Sequence, residues 1–205
     1  MMRLDIVKTA TTLYETGSVQ TTAGMLDIKP RLVLHRTKML ERELGVRLFS
    51  RLSGYSASQK AHWSPASVIA KEMLELFTEA IALTDRARTL AAEIGNPRPH
   101  YRFGQGIIGL VAIERTIKLE GKGVAEVADE MGRDRSAIAR ALYGVERWLN
   151  IALLERVYIG RHKAIHIVCG GSEPIMVLLK RVAGINAQIR QLCEMAREHG
   201  MTAEG

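Results

Sequence analysis

Two sets of side chains in this 205-residue chain have the types and spacings needed to grip a polyanion. Arg31, His35, Lys38 and Arg42 follow one another at intervals of four, three and four residues. At 100° per residue they share one face of a helix, and Val33, Thr37 and Leu40 fall on the other. Arg and Lys so placed donate to guanine O6 and N7 or to phosphate, and Leu32 and Leu34 at the flank suit thymine methyl groups. A second set repeats the construction. With Ile138, Leu142 and Val145 turned inward, Ser136, Arg140, Tyr143 and Arg147 share the outer face, and Arg135 stands at the helix entrance. More candidates follow each set: Arg51, Tyr55 and Lys60 in the first case, Arg156, Arg161, His162 and Lys163 in the second. For Arg51 and Arg156 a purely structural role, anchoring the backbone of the segment they open, is an equal alternative. Any single one of these charges is explained as a solvated surface group; the clustering on one face carries the argument.

Other chemistries find less support. Gly104, Gly106 and Gly109 spell GxGxxG, but no apolar strand precedes them and no βαβ pattern surrounds them. His162 and His166 are four apart without a Cys or carboxylate to complete a metal site. The Ser, His and Asp residues are too scattered for a catalytic triad. The expectation is a protein without enzymatic activity, cofactor or metal.

Composition agrees with a polyanionic partner. Lys and Arg number 29 against 22 Asp and Glu, a net charge of +7, and 47% hydrophobic residues indicate a globular chain. Cys169 and Cys193 are isolated, which predicts reduced thiols in a cytoplasmic protein. Asp5 and Lys8 interrupt the N-terminal apolar stretch, so no signal peptide is expected, and no apolar run reaches the length of a membrane span.

The elements that must position these residues come as a repeat. Shifting the sequence by 105 positions aligns residues 19–51 with 124–156 without a gap. Val19, Ala23, Glu41, Leu44, Leu48 and Arg51 meet Val124, Ala128, Glu146, Leu149, Leu153 and Arg156, and apolar pairs such as Val33 with Ile138 fill the intervals. Each copy reads as helix, turn, helix. In the first, Thr22, Ala23 and Leu26 mark the inner side of a short helix, Asp27 and Ile28 form the turn, and Pro30 suits the start of a helix reaching Leu44. Gly45 stops that helix, and Asn150 does so in the second copy. Asp134 occupies an N-cap position, where its carboxylate is expected to accept backbone N–H bonds. After each unit comes an extended segment with a turn, 51–63 and 157–168; Ile165 and Ile167 alternate on one face, as in a small β-hairpin. Long amphipathic helices follow. Their expected seams are Ile69, Met73, Leu76, Ala80, Leu83, Ala87 and Leu90, and Ile175, Leu178, Val182, Ile185, Ile189, Leu192 and Ala196. The predicted architecture is mainly α with small β wings: residues 1–93 and 107–199 each form a winged helix-turn-helix with a long helix, joined by a linker over 94–106.

Gly17, Ser18, Leu26, Leu40, Glu41, Leu44, Gly45, Leu48, Phe49 and Arg51, followed by Trp63, Ser64 and Pro65, form a recognisable pattern. On these residues, 4–93 resemble the DNA-binding end of the LysR-type transcriptional regulators, with Trp63, Ser64 and Pro65 at the end of the family's wing. Leu34 and Thr22 depart from the usual pattern, and the second half matches it weakly. The family's effector domain is not expected here, since the second unit stands in its place in the sequence. The resemblance implies a second helix in the major groove, a wing on phosphates, and long helices that pair antiparallel between subunits. For this chain it implies double-stranded DNA as partner, contacted by Arg31, Leu34, His35, Lys38, Arg42, Lys60, Arg135, Ser136, Arg140, Tyr143, Arg161 and Lys163. Within one chain the two seams would make a pseudo-dimer with half-sites about one DNA turn apart; pairing between chains would make a homodimer. The expected function is sequence-specific transcription regulation. The alternatives are a replication, excision or partition factor of a mobile element, or a tandem winged-helix protein-interaction subunit.

Overall fold

A computed structural model describes residues 2–52, 62–94, 108–160 and 163–200. Among these residues the chain is mainly helical, with eight helices and two two-stranded antiparallel sheets. The first half runs α1 (Leu4–Thr16), α2 (Val19–Met25), α3 (Pro30–Leu44), β1 (Phe49–Leu52), β2 (His62–Pro65) and α4 (Val68–Ile94). The second half repeats that order as α5 (Leu110–Ile117), α6 (Val124–Glu130), α7 (Arg135–Leu149), β3 (Leu154–Ile159), β4 (Lys163–Val168) and α8 (Glu173–Glu198). Helices α6, α7 and α8 and strand β3 each begin 105 residues after α2, α3, α4 and β1, the offset read from the sequence. The expected linker lies, except for Ile94, outside the described residues, as do Gly104 and Gly106.

The chain divides into two compact units, Met1–Ile81 with Ala187–Gly205, and Ala82–Asn186. Unit 1 therefore contains the first turns of α4 and the last turns of α8. Unit 2 contains the other end of each. In unit 1 the core gathers Ile6, Val7, Ala10 and Leu13 of α1 with Val33, Leu40 and Leu44 of α3 and the segment Val46, Leu48 and Phe49, all buried. Unit 2 builds the same core from Leu110 and Ile113 of α5, Ile138, Leu142, Val145 and Leu149 of α7, and Ile151, Leu153 and Leu154. Burying such side chains contributes about 1.5–3 kcal/mol each before the entropy of ordering is counted.

The seam of α8 is as expected at Ile175, Val182, Ile185, Ile189, Leu192 and Ala196, all buried, but Leu178 is half-buried and Leu179 takes its place. In α4 the buried line is displaced. Met73, Ala80 and Ala87 are buried, whereas Ile69, Leu76, Leu83 and Leu90 are half-buried beside Ala70, Phe77, Thr84 and Ala91, which lie inside. The apolar stripe on α4 is wider than one seam, and its buried centre also takes in Leu74 and Phe77. The expected seam is therefore buried along most of α8 but at only Met73, Ala80 and Ala87 of α4. No helix among the described residues is long and apolar enough to cross a membrane.

Candidate nucleic-acid interface

The turn between the short and long helices of each unit aims the long one. Asp27 adopts φ 51° and Gly132, its counterpart 105 residues on, φ 57°. This left-handed geometry is easy for Gly and tolerated by Asp. Ile28 N then donates to Ala23 O at 3.0 Å and Arg133 N to Ala128 O at 2.9 Å, closing equivalent turns. Ser18 caps α2 by accepting from Thr21 N at 3.3 Å, and Thr22 and Ala23 are buried while Leu26 is only half-buried. Pro30 occupies the first turn of α3. Asp134 stands at the N-cap of α7, but its side chain makes no capping hydrogen bond. Its carbonyl accepts from Ala137 N at 2.9 Å instead, so its exposed carboxylate stays in water.

Rotation of α3 is fixed by Val33, Thr37 and Leu40, all buried. That leaves Arg31, His35, Lys38 and Arg42 exposed along one face, with Leu34 half-buried at its margin. Burial of Ile138, Ala141, Leu142 and Val145 turns α7 the same way and exposes Ser136, Arg140, Tyr143 and Arg147; Arg135 is exposed at its entrance. Tyr143 is 52% accessible, unusual for an aromatic ring.

Charge pairing separates these cations from others nearby. On the flank of α3, Arg36 is held by Asp5 at 3.1 Å and donates to Thr9 Oγ1 at 3.2 Å. Lys118, at 2.6 Å, and Lys122 both grip Glu130, whose carboxyl they hold at about 2 by hydrogen bonds first from Lys118 and then from Lys122. Lys180 pairs with Glu120 at 2.7 Å. By contrast Arg31, Lys38, Arg42, Arg135, Arg140 and Arg147 form no ion pair with any described residue. A cation already paired has less to gain from a phosphate, and none of these six is so paired among the described residues.

The hairpins that follow α3 and α7 are each tied to their helix by a glutamate whose role is not evident from spacing alone. Glu41 Oε1 accepts from Leu48 N at 2.8 Å and Phe49 N at 3.0 Å. Glu146 Oε1 accepts from Leu153 N at 2.9 Å and Leu154 N at 3.2 Å, and is fully buried. The signal was present: Glu41 and Glu146 are among the few identities of the repeat, and a buried glutamate must find donors. Each α3 or α7 also ends alike, with Gly45 at φ 70° and Asn150 at φ 59°. At the end of α3, Arg197 of α8 donates from Nη2 to Leu44 O at 2.9 Å, a cation on an otherwise unpaired terminal carbonyl.

The second strand of each hairpin is pinned to the turn before the short helix. Arg51 faces Trp63 across β1 and β2, and Trp63 N donates to Gly17 O at 2.9 Å. Arg156 faces His166, whose backbone N donates to Lys122 O at 3.1 Å and whose Nδ1 donates to the same oxygen at 3.0 Å. His166 is therefore a buried fastening. Among the described residues no group of three or more His, Cys, Asp or Glu could hold a metal ion. Arg51 and Arg156 are exposed, and neither side chain bonds to the backbone of a described residue; among the described residues the glutamates take that role, sitting inside beside the backbone N–H groups they accept from. Arg156 lies 5.0 Å over the ring of Tyr158, a cation–π contact. Between α6, α7 and this hairpin runs a groove of about 780 Å³ lined by Arg135, Ser136, Arg156, Tyr158 and His166, with Glu126 on the same wall. Lys163 opens β4 opposite Ile159. Ile165 is half-buried and Ile167 exposed. Tyr55, Lys60, Arg161 and His162 lie outside the described residues.

No protein-family model, curated protein or solved structure matches the chain.

Proposed function

We propose that this chain is a sequence-specific double-stranded DNA-binding transcription regulator, reading DNA with two winged helix-turn-helix units carried in one polypeptide. The observation that supports this most is the unpaired cationic face on α3 and on α7, equivalent helices that each follow a tight turn and precede a tethered hairpin. A helix so presented fits the major groove, with its hairpin and helix entrance on phosphates. Arg31 and Lys38 contact guanine or phosphate from α3, and Arg140 does so from α7. Arg135, Ser136 and Arg156, around the groove of unit 2, hold phosphate. Two reading units in one polypeptide would supply what a homodimer draws from two subunits, and the burial of Met73, Ala80 and Ala87 on α4 and of Val182, Ile185 and Ile189 on α8 supports that reading.

Exposed Tyr158, Ile159 and Ile167 on the second hairpin favour one competing reading, in which unit 2 docks a protein. Titration of the full chain against duplex DNA at increasing salt separates the two. Regulation by DNA reading requires affinity that falls linearly in log–log form, about 0.9 decade per phosphate contact per decade of salt, together with preference for a selected sequence over random duplex. Absence of duplex binding at low salt overturns the proposal and leaves protein docking.

A further inference from the structure

Within that reading, we infer that the two units recognise different half-sites, set by inverted patterns of charge on α3 and α7. Both helices run over the same span at an offset of 105 residues and are turned by equivalent buried residues, so their outer positions correspond one to one. Arg31, Leu34, His35, Lys38 and Arg42 answer to Ser136, Ala139, Arg140, Tyr143 and Arg147. The permanent charges alternate. On α3 they stand at the first and fourth of these positions, with His35 between; on α7 the only one of the first four is the third, Arg140, flanked by a hydroxyl and an exposed phenol. Arg42 and Arg147, alike in both, lie a turn further on and address the backbone in either unit.

The geometry converts this into a base pattern. Arg31 and Lys38 are seven residues apart, about 10 Å along the helix at 1.5 Å per residue, or roughly three base pairs at 3.4 Å each. Unit 1 therefore calls for two guanines about three base pairs apart. Unit 2 calls for one guanine at Arg140, between contacts from Ser136 and Tyr143. Leu34 reaches a thymine methyl group that the shorter Ala139 does not. A chain with two identical heads would read a symmetric site; this one reads a composite, asymmetric operator.

Selection of binders from a random duplex pool by the full chain tests the inference, alongside Ser136→Arg/Ala139→Leu/Arg140→His/Tyr143→Lys, which gives α7 the residue types of α3, and Arg31→Ser/Leu34→Ala/His35→Arg/Lys38→Tyr, the reciprocal set. All eight positions are exposed or half-buried, and circular dichroism checks folding; either variant alone suffices if the other does not fold. Expected are two dissimilar half-sites for the parent chain and two like half-sites for each variant, with at least a tenfold shift in preference at the altered half. Two like half-sites for the parent chain, or an unchanged preference in a folded variant, overturn the inference. Binding to all duplexes equally also overturns it, while leaving the DNA-binding part of the reading intact. No binding at low salt overturns both.

Discussion

Replacing Glu146 by alanine should loosen the second hairpin from α7, and the structure sets the size of the effect. The carboxylate accepts from Leu153 N and Leu154 N at 2.9 and 3.2 Å in a fully buried setting. Alanine leaves both N–H groups without that acceptor, at about 1–3 kcal/mol apiece. Relief from burying a charge offsets part of that, because its desolvation is itself costly. A net loss of about 3 kcal/mol follows, which for a chain of this length lowers Tm by about 6–12 °C. Glu146→Gln keeps an oxygen for the same donors and loses only the charge assistance, so it should cost about half as much. Glu41→Ala should cost less than Glu146→Ala, since Glu41 is half-buried and water can reach the freed groups. The assay is urea denaturation of the three variants, with hydrogen exchange at the amides of residues 153 and 154. Glu146→Ala within about 0.5 kcal/mol of the parent, with those amides still protected, would refute the reasoning.

Arg31→Ala combined with Lys38→Ala should weaken specific DNA binding by about 2–6 kcal/mol, thirty-fold or more, with no change in circular dichroism; unchanged affinity for a selected site would show that the face is wrongly assigned. Gly45→Ala should destabilise by about 1–2 kcal/mol, because its φ of 70° disfavours a side chain and the new Cβ would come within 3.3 Å of Arg197 Nε; urea midpoints measure it, and a neutral result contradicts the account of the α3 terminus. The Glu130 carboxyl, lowered from 4.5 to about 2, contributes stability that is present above pH 4.5 and lost as pH falls toward 2. Glu130→Gln should therefore be less stable than the parent at pH 7, with the gap narrowing below pH 4.5 and closing only as pH falls through about 2, and a gap independent of pH would count against the lysine clamp.

How far the sequence announced this structure depends on what each feature rests upon. The repeat at 105 residues, the helix stops at Gly45 and Asn150, and the outward faces of α3 and α7 follow from periodicity and local backbone preference, and all are legible in the chain. The rotation of α4 was not, because Ile69, Leu76, Leu83 and Leu90 look more apolar than Ala70, Phe77, Thr84 and Ala91 taken as a line, and a stripe this wide leaves its buried centre to tertiary packing. Asp134 suits an N-cap by type, yet nothing local obliges its side chain to turn back. The difference between Arg36, paired with Asp5, and Arg31, paired with none of the described residues, is a tertiary fact: Asp5 belongs to α1 and no spacing on α3 reveals it. The glutamate tethers are intermediate, marked by their repetition but given meaning only by the N–H groups of residues 48, 49, 153 and 154 around them.

The most direct test of the central claim is the affinity of the full chain for double-stranded DNA as salt rises from 50 to 200 mM, measured by fluorescence anisotropy on a selected and a scrambled duplex. The account predicts a steep linear fall in log affinity with log salt on both, a selected site bound at least about a thousand-fold more tightly, and a slope reduced by about one when Arg42 is replaced by Ala. Equal affinity for the two duplexes, or binding that salt does not weaken, would contradict it.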